Sequence, residues 1–458
     1  MLAAIATMLC ALAIDPEPGP AVLAVVLCIS LSRSQLDRSR RGRIEAALVL
    51  PAVGLIAVGV GLLLRFTPWI GAAVFTAGMF VSIWLRRFGP MAGRAGSLIA
   101  LPFVALLSTP YIPTTRVTPI PAFLMPVLVA LLALLWVGVL HALGRRMCLL
   151  PPAKTMERPL PVPAPASSLR PVASTRMAIQ MAMALALSFV IGYVFFPERW
   201  SWVVLTAFIV NSGNRGRLDV VYKSLLRVLG AAAGTLVALS IGMHLGSHRE
   251  GTAALILVVL FLGLWLRPLS YAWWALFVTI ALALLQGLAG SPNLNLLWPR
   301  LEEIVIGALI GIVCAWFVLP VRSSAVLRRR LADALATLSE ALDPANPGRS
   351  SQHFVAALDD VEQLRPAFHA SRFVTRRFRV SHPADWVDTL IACKHSATAL
   401  IDRGETPGGI RRAVGAARQS IREPEEILPA LQGLHRVLHG QPYDKQPIRS
   451  SSEAVHTG

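Results

Sequence analysis

One membrane-type pattern is written twice in this chain. Phe80-Val81-Ser82-Ile83-Trp84-Leu85-Arg86 returns about 180 residues later as Phe261-Leu262-Gly263-Leu264-Trp265-Leu266-Arg267. Ahead of each copy come an apolar run, a basic stretch and a Gly-spaced apolar run. These occupy 21–31, 33–43 and 54–64 in the first half, and 202–210, 215–227 and 230–242 in the second. Backbone polar groups in lipid must be satisfied within the segment itself, so apolar runs of this kind fold as helices that cross a bilayer. A duplicated set of spans is a transporter's construction, with the route near the interface of the repeats.

Composition excludes the soluble classes. Of 458 residues, 55% are apolar and only 15% charged, and the mean hydropathy is +0.61. A formal charge of +18 can mark a nucleic-acid binder, but here the cations sit between apolar runs, as they do in membrane proteins. The five cysteines, Cys10, Cys28, Cys148, Cys314 and Cys393, form no CxxC spacing and read as small apolar residues. His244 and His248 are four apart beside Arg249 and Glu250, which reads as a solvated loop. No metal or cofactor site is expected.

The fold class predicted is all-α and polytopic, with about twelve spans as two parallel six-helix repeats and a C-terminal cytoplasmic helical domain. The spans fall near 2–14, 20–32, 46–64, 68–85, 95–109 and 119–142, then near 176–196, 200–212, 228–246, 251–266, 269–289 and 301–320. With both termini inside, the inner loops up to residue 300 hold 19 Lys and Arg against 5 in the outer loops. That asymmetry is the positive-inside signature. Residues 1–145 form the first repeat, 146–172 a Pro-rich cytoplasmic linker and 173–321 the second repeat. Residues 322–440 form the cytoplasmic helical domain, with Leu327, Leu331, Leu335 and Leu338, then Val355, Leu358, Val361 and Leu364, at helical spacing. Residues 441–458 are a polar tail expected to be disordered. The first apolar run lacks a basic leader and is followed by Asp15-Pro16-Glu17-Pro18, so cleavage as a signal peptide is not expected.

The chain carries no GxxxxGK[ST], GxSxG, HExxH or Gly-rich dinucleotide turn, which argues against an ATPase or another enzyme. Energy for transport would then come from an ion gradient or the substrate's own. The segment from Trp200 to Asn214 begins with aromatics at an interface and ends in Asn211-Ser212-Gly213-Asn214, which breaks a helix. It reads either as a half-helix whose end lines a path or as an ordinary helix ending at the inner surface. From Arg215 to Arg227 the charges Arg215, Asp219, Lys223 and Arg227 recur every four residues, which predicts an amphipathic elbow on the inner interface with Asp219 paired to Lys223 or Arg215. Arg227 borders the next span, where a cation must be paired or face a polar path. Arg300, Glu302 and Glu303 open the last span. As coupling or structural charges, the acids suit the first turn of a helix dipole or a proton-exchanging mouth.

The chain resembles the fusaric acid resistance protein and aromatic acid exporter family. The resemblance rests on Trp200-x-Trp202-x₂-Leu205-Thr206-Ala207-x-Ile209-Val210, on Lys223-Ser224-x₂-Arg227-x-Leu229-Gly230-x₃-Gly234, and on Arg300-x-Glu302-Glu303-x₃-Gly307. It covers about 175–320 well and the first half weakly, and Ala231 departs from a common Thr. The resemblance implies a bacterial inner-membrane exporter of aromatic or other hydrophobic carboxylic acids. It further implies a periplasmic membrane-fusion partner, and it leaves monomer or homo-oligomer open; no nucleic-acid partner is expected. In that reading Arg227, Lys223 and Arg43 draw the carboxylate to the inner mouth, Asn211 and Asn214 lie along the path, and Trp200, Trp202 and Phe208 meet the apolar ring. The alternatives are a passive organic-anion channel and a non-transporting membrane scaffold.

Overall fold

The computed structural model describes residues 2–14, 40–88, 124–147, 173–244, 249–288, 297–346, 350–375, 382–405 and 407–440, with single positions between them. Every regular element among these residues is helical. The expected linker beyond residue 147, the tail from 441, and most of 15–39 and 89–123 lie outside the described residues. Cα packing divides the chain into Met1–Val321 and Arg322–Gly458.

In the first unit the helices are α1 (Leu2–Ile14), α2 (Arg40–Phe66), α3 (Pro68–Trp84), α4 (Met125–Arg146), α5 (Ala173–Phe195), α6 (Trp200–Asn211), α7 (Arg217–His244), α8 (Arg249–Leu266), α9 (Tyr271–Leu288) and α10 (Leu297–Phe317). Four stretches are long and apolar enough to cross a membrane: Pro68–Phe88, Val127–Arg146, Ser174–Phe195 and Arg217–Ser240. Several other apolar helices are shorter, α6 among them.

The elbow expected at 215–227 is not a separate element. It is the first part of α7, a helix of 28 residues running without a break from Arg217 to His244. No Pro interrupts it, and Leu, Lys and Arg between 217 and 229 sustain helix well. The charges read as a solvated face therefore sit on a span-length helix. Its counterpart α2 starts at Arg40 rather than at the expected 46, and it likewise carries its basic residues in its own first turns.

Several apolar cores join the described helices of this unit, two of which span many of them. Ala57, Val60 and Leu64 of α2, Phe75 and Met79 of α3, Met181, Leu185 and Phe189 of α5, and Val204 of α6 share one core, so the sequence halves pack into each other. Ala4 and Ala11 of α1 pack with Val129, Ala133 and Val137 of α4 in another.

Around the candidate site, glycines set the helix spacing. A Cβ at Gly307 of α10 would lie 2.5 Å from the Val203 carbonyl oxygen of α6, and one at Gly230 of α7 would lie 2.5 Å from the Ala272 carbonyl oxygen of α9. Backbones this close need residues without side chains. α10 is thereby drawn onto α6, and α9 onto α7.

The second unit consists of α11 (Ser323–Ala341), α12 (Ser351–Glu362), α13 (Arg365–Thr375), α14 (Pro383–Ala392), α15 (Lys394–Asp402), α16 (Gly408–Ser420) and α17 (Ile427–Leu438). Leu327, Leu331, Leu335 and Leu338 are fully buried, as their period requires. On α12 the buried stripe is Phe354, Leu358 and Val361, with Val355 to its side. Ser350 and His382 cap α12 and α14 through their side chains.

Candidate functional site

The end of α6 is closed by a polar knot. The chain turns at Gly213, whose φ of +60° is open to glycine, and α6 stops after 12 residues. At 1.5 Å per residue that is about 18 Å, against about 30 Å of hydrocarbon. The stop lies inside protein, for Asn211 and Asn214 are both buried. Asn211 Nδ2 donates to the Ala207 carbonyl at 2.9 Å. Asn214 Oδ1 accepts from the Gly216 amide at 2.6 Å, and its amide nitrogen donates to Gln180 at 3.4 Å. Lys223 donates to the Ser212 and Gly213 carbonyls and pairs with Asp219 at 2.8 Å. Asp219 also accepts from the Arg215 amide at 3.1 Å. Orphan carbonyls at a buried helix end need such partners. The end of α10 is treated alike: Gln180 Nε2 donates to the Val318 carbonyl at 2.8 Å, and Arg176 donates to the Pro320 carbonyl. Lys223 and Asp219 are thus bound into the backbone of this turn.

Two of the aromatic candidates are engaged by their own fold. Trp200 is buried, with its ring 5.4 Å from Phe189 and 5.3 Å from Tyr193. The Arg300 guanidinium carbon lies 4.0 Å from the centre of the Trp202 ring, the arrangement in which a cation meets the negative face of the π-system. Phe208 is partly buried against the α2–α3–α5–α6 core. Arg43 lies on α2, and its side chain is outside the described residues.

A second constellation contains charges with far fewer partners. Arg227 is 2% exposed and is the largest fully buried side chain of the described residues. It shares a buried stripe of α7 with Val220, Ser224 and Ala231. Its Nε has no hydrogen-bond partner, nor do the hydroxyls of Ser224, of Thr206 on α6 and of Tyr271 on α9. Arg300 is 3% exposed, and both its Nε and Nη1 are without partners. Arg227 lies within electrostatic range of Arg300. The Tyr271 hydroxyl sits beside Arg227 without the alignment of a hydrogen bond. Among the described residues no carboxylate forms an ion pair with Arg227 or Arg300.

Glu303 is the acid of this region. It is wholly buried and meets Arg199, just ahead of α6, at 3.0 Å. Arg300 lies within its electrostatic reach. The helix-dipole reading of Glu302 and Glu303 does not hold: α10 begins at Leu297, so its first turn has no acid. Glu302 is exposed. The site therefore draws Arg227, Arg300 and Glu303 from the sequence-predicted residues and adds Arg199, Thr206, Ser224 and Tyr271. No sequence signal marked Tyr271, an aromatic at the head of an apolar run. Arg199 falls between the expected spans at 176–196 and 200–212, where it reads as a loop cation on the outer side.

Among the described residues no group of three or more His, Cys, Asp or Glu is placed to hold a metal. What the arrangement offers is a concentration of N–H and O–H donors and positive charge within an apolar bundle, suited to an anion.

Residues 183–314 match the sequence model of the family described as fusaric acid resistance protein-like. The match contains α6 through most of α10, and with them the whole Arg227–Arg300–Glu303 constellation. No curated protein matches the chain. Together with the four span-length apolar helices, the match makes this a multi-pass membrane protein.

Proposed function

We propose that this protein is a secondary exporter of organic anions, moving aromatic or other hydrophobic carboxylic acids out of the cytoplasm. The observation that carries the reading is Arg227: a cation 2% exposed in an apolar bundle, with an unpaired Nε and no carboxylate partner among the described residues. Such a charge is too costly to keep in a membrane unless it meets an anion or a polar path. The matched family, named for resistance to an aromatic acid, supports the same class of substrate.

In this reading the chain spans a bacterial inner membrane about twelve times as two parallel repeats, with both termini cytoplasmic. Helix bounds favour the repeat: α7 begins 177 residues after α2 and ends 178 after it. Residues 322–440 are cytoplasmic, 146–172 join the halves, and a periplasmic membrane-fusion protein continues the path outward. Export draws on the proton-motive force.

The test is accumulation of labelled 4-hydroxybenzoate in cells with and without the protein, with a protonophore as a second arm. Lower accumulation that the protonophore reverses, and that Arg227→Gln abolishes at equal membrane level, is the expected result. Unchanged export by Arg227→Gln removes Arg227 from the mechanism, and no difference with the parent protein overturns the exporter reading for this substrate.

A further inference from the structure

Glu303 stands on the seam between α6 and α10, and the two helices run parallel along it. Glu303 lies against Arg199 at the head of α6, Gly307 against Val203 and Thr206, and Gly311 against Val210 and Asn211. One turn beyond Glu303 the seam is shut, for a Cβ at Gly307 would lie 2.5 Å from the Val203 carbonyl oxygen. In the other direction stands Arg199, whose side chain is 35% exposed while that of Glu303 is 0% exposed. The carboxylate is thus buried beside a cation that water reaches. Arg199 Nε meets Glu303 Oε1 at 3.0 Å without the alignment of a hydrogen bond, and neither carboxylate oxygen has a hydrogen-bond partner among the described residues. An ionised carboxylate has sites for about four donors, and leaving them empty away from water makes the charged form costly. Arg300, one turn back on α10, turns its guanidinium to the Trp202 ring at 4.0 Å.

Few other charges approach this place. α10 packs against α5, α6 and α7. α6 carries no charged residue, and the one on α5, Arg176, donates to the Pro320 carbonyl past the far end of α10. Tyr193 of α5 packs on Trp200 and donates to the Pro68 carbonyl. On α7 the Arg217 amide donates to the Val321 carbonyl at 3.2 Å at that same far end, and Asp219, Lys223 and Arg227 follow in order. Arg227 comes within electrostatic range of Arg300. His244 closes α7, with its side chain outside the described residues. On α10 itself the remaining charge is Glu302, which is exposed.

We infer that Glu303 is a proton-binding site, loaded from the side on which Arg199 is exposed, and that its proton is the one exchanged for the exported anion. This rests on the exporter reading and names the residue through which the proton-motive force acts. In the twelve-span layout Arg199 belongs to an outer loop, so the proton enters from outside, the direction in which the force drives it. The step forms one O–H bond, between a proton delivered by water and a carboxylate oxygen. The ion pair becomes a neutral acid beside an Arg199 cation that solvent holds. Release to the cytoplasm needs the seam to part at Gly307. Acids buried in membrane bundles are the groups from which proton relays are built.

The experiment is difference infrared spectroscopy of the full chain in phosphatidylethanolamine–phosphatidylglycerol liposomes, stepped from alkaline to acid pH. A carboxylic acid that accepts no hydrogen bond shows its C=O band apart from those of solvated acids. The parent gains such a band on acidification. Glu303→Gln lacks it, Glu303→Asp moves it and Glu302→Gln keeps it. In Arg199→Gln the band rises at a pH higher by about one unit, because a close cation favours the ionised form and its loss favours the protonated one; water around Arg199 keeps the shift at the low end of the usual range. Everted vesicles read the coupling. Added 4-hydroxybenzoate collapses an imposed acid-inside gradient faster with the parent than without the protein, and Glu303→Gln loses that difference.

No titrating band in the parent, a band that survives Glu303→Gln, or a midpoint unmoved or lowered in Arg199→Gln would each overturn the proton site. Parent-like gradient collapse by Glu303→Gln would overturn its part in coupling. If Glu303→Gln does not yield intact protein, the Arg199→Gln midpoint decides. The two readings fail separately. A titrating Glu303 band in a protein that lowers no acid accumulation in cells sinks the exporter and keeps the proton site. Protonophore-sensitive export without a Glu303 band sinks the proton site and keeps the exporter.

Discussion

Arg199 Nε meets Glu303 Oε1 at 3.0 Å, and the two residues differ sharply in exposure: the Glu303 side chain is fully buried and that of Arg199 is 35% exposed. The pair joins the head of α6 to α10. Removing its exposed half strands a buried carboxylate, a change that costs about 3–5 kcal/mol for fully buried pairs and less here because water reaches Arg199. Arg199→Ala is therefore expected to lower the melting temperature in detergent clearly. Arg199→Ala combined with Glu303→Gln should recover part of the loss, because the charge left behind is gone. Additive losses in the double variant would show that the two side chains are not coupled.

Glycine contacts give a prediction with opposite signs at two positions. Gly307→Ala places a methyl 2.5 Å from the Val203 carbonyl oxygen and 2.9 Å from Thr206 Cβ. Forcing α6 and α10 apart should destabilise by about 1–3 kcal/mol. Gly138→Ala on α4 meets nothing within 4 Å and should stabilise by about 0.5–1 kcal/mol through helix propensity. Thermal unfolding followed by size-exclusion profile checks both, and a loss at Gly138 equal to that at Gly307 would contradict the close approach.

Lys223 tests the difference between a cation held by the backbone and the ligand-binding role proposed for Arg227. Its ammonium is taken up by Asp219 and by the Ser212 and Gly213 carbonyls. Lys223→Gln should lower the melting temperature, since Asp219 is buried and loses its counter-charge. Benzoate affinity at temperatures where the variant stays folded should match the parent. A tenfold loss of affinity with unchanged melting would reverse that assignment.

In the second unit Cys393 is fully buried, and burial pushes its thiol up to about 12. The thiolate is the reactive form, so at pH 8 both charge and access oppose alkylation. Iodoacetamide should leave Cys393 unmodified in the native chain and modify it in denaturant, as read by peptide mass spectrometry. Rapid native labelling would mean that the α14–α15 junction opens.

Much of the helical layout was legible in the order of residues. Asn211-Ser212-Gly213-Asn214 announced the stop of α6, because glycine and short polar side chains favour turns over helix. The leucine stripe of α11 announced its buried face. The continuity of α7 was not legible. Arg215, Asp219, Lys223 and Arg227 at intervals of four describe a solvated face as well as a buried one, and periodicity alone cannot tell which neighbour covers it. Glu302 and Glu303 were likewise equivalent as adjacent acids until α10 was seen to start at Leu297, which turns one outward and buries the other against Arg199.

Apolar periodicity, basic breaks and turn residues are local properties, and by themselves they determined that this chain is a bundle of helices for a bilayer and where most of those helices run. Which cation is left buried without a carboxylate partner among the described residues was decided only by the tertiary structure. Lys223 and Arg227 stand four residues apart on one helix; Lys223 takes Asp219 one turn away and the carbonyls of the turn just ahead of α7, whereas Arg227 is buried with no carboxylate partner among the described residues. The Lys223 contacts are local and its pairing was legible in the order of residues; the burial of Arg227 comes from helices distant in sequence, and it matters because an unpaired charge away from water is costly.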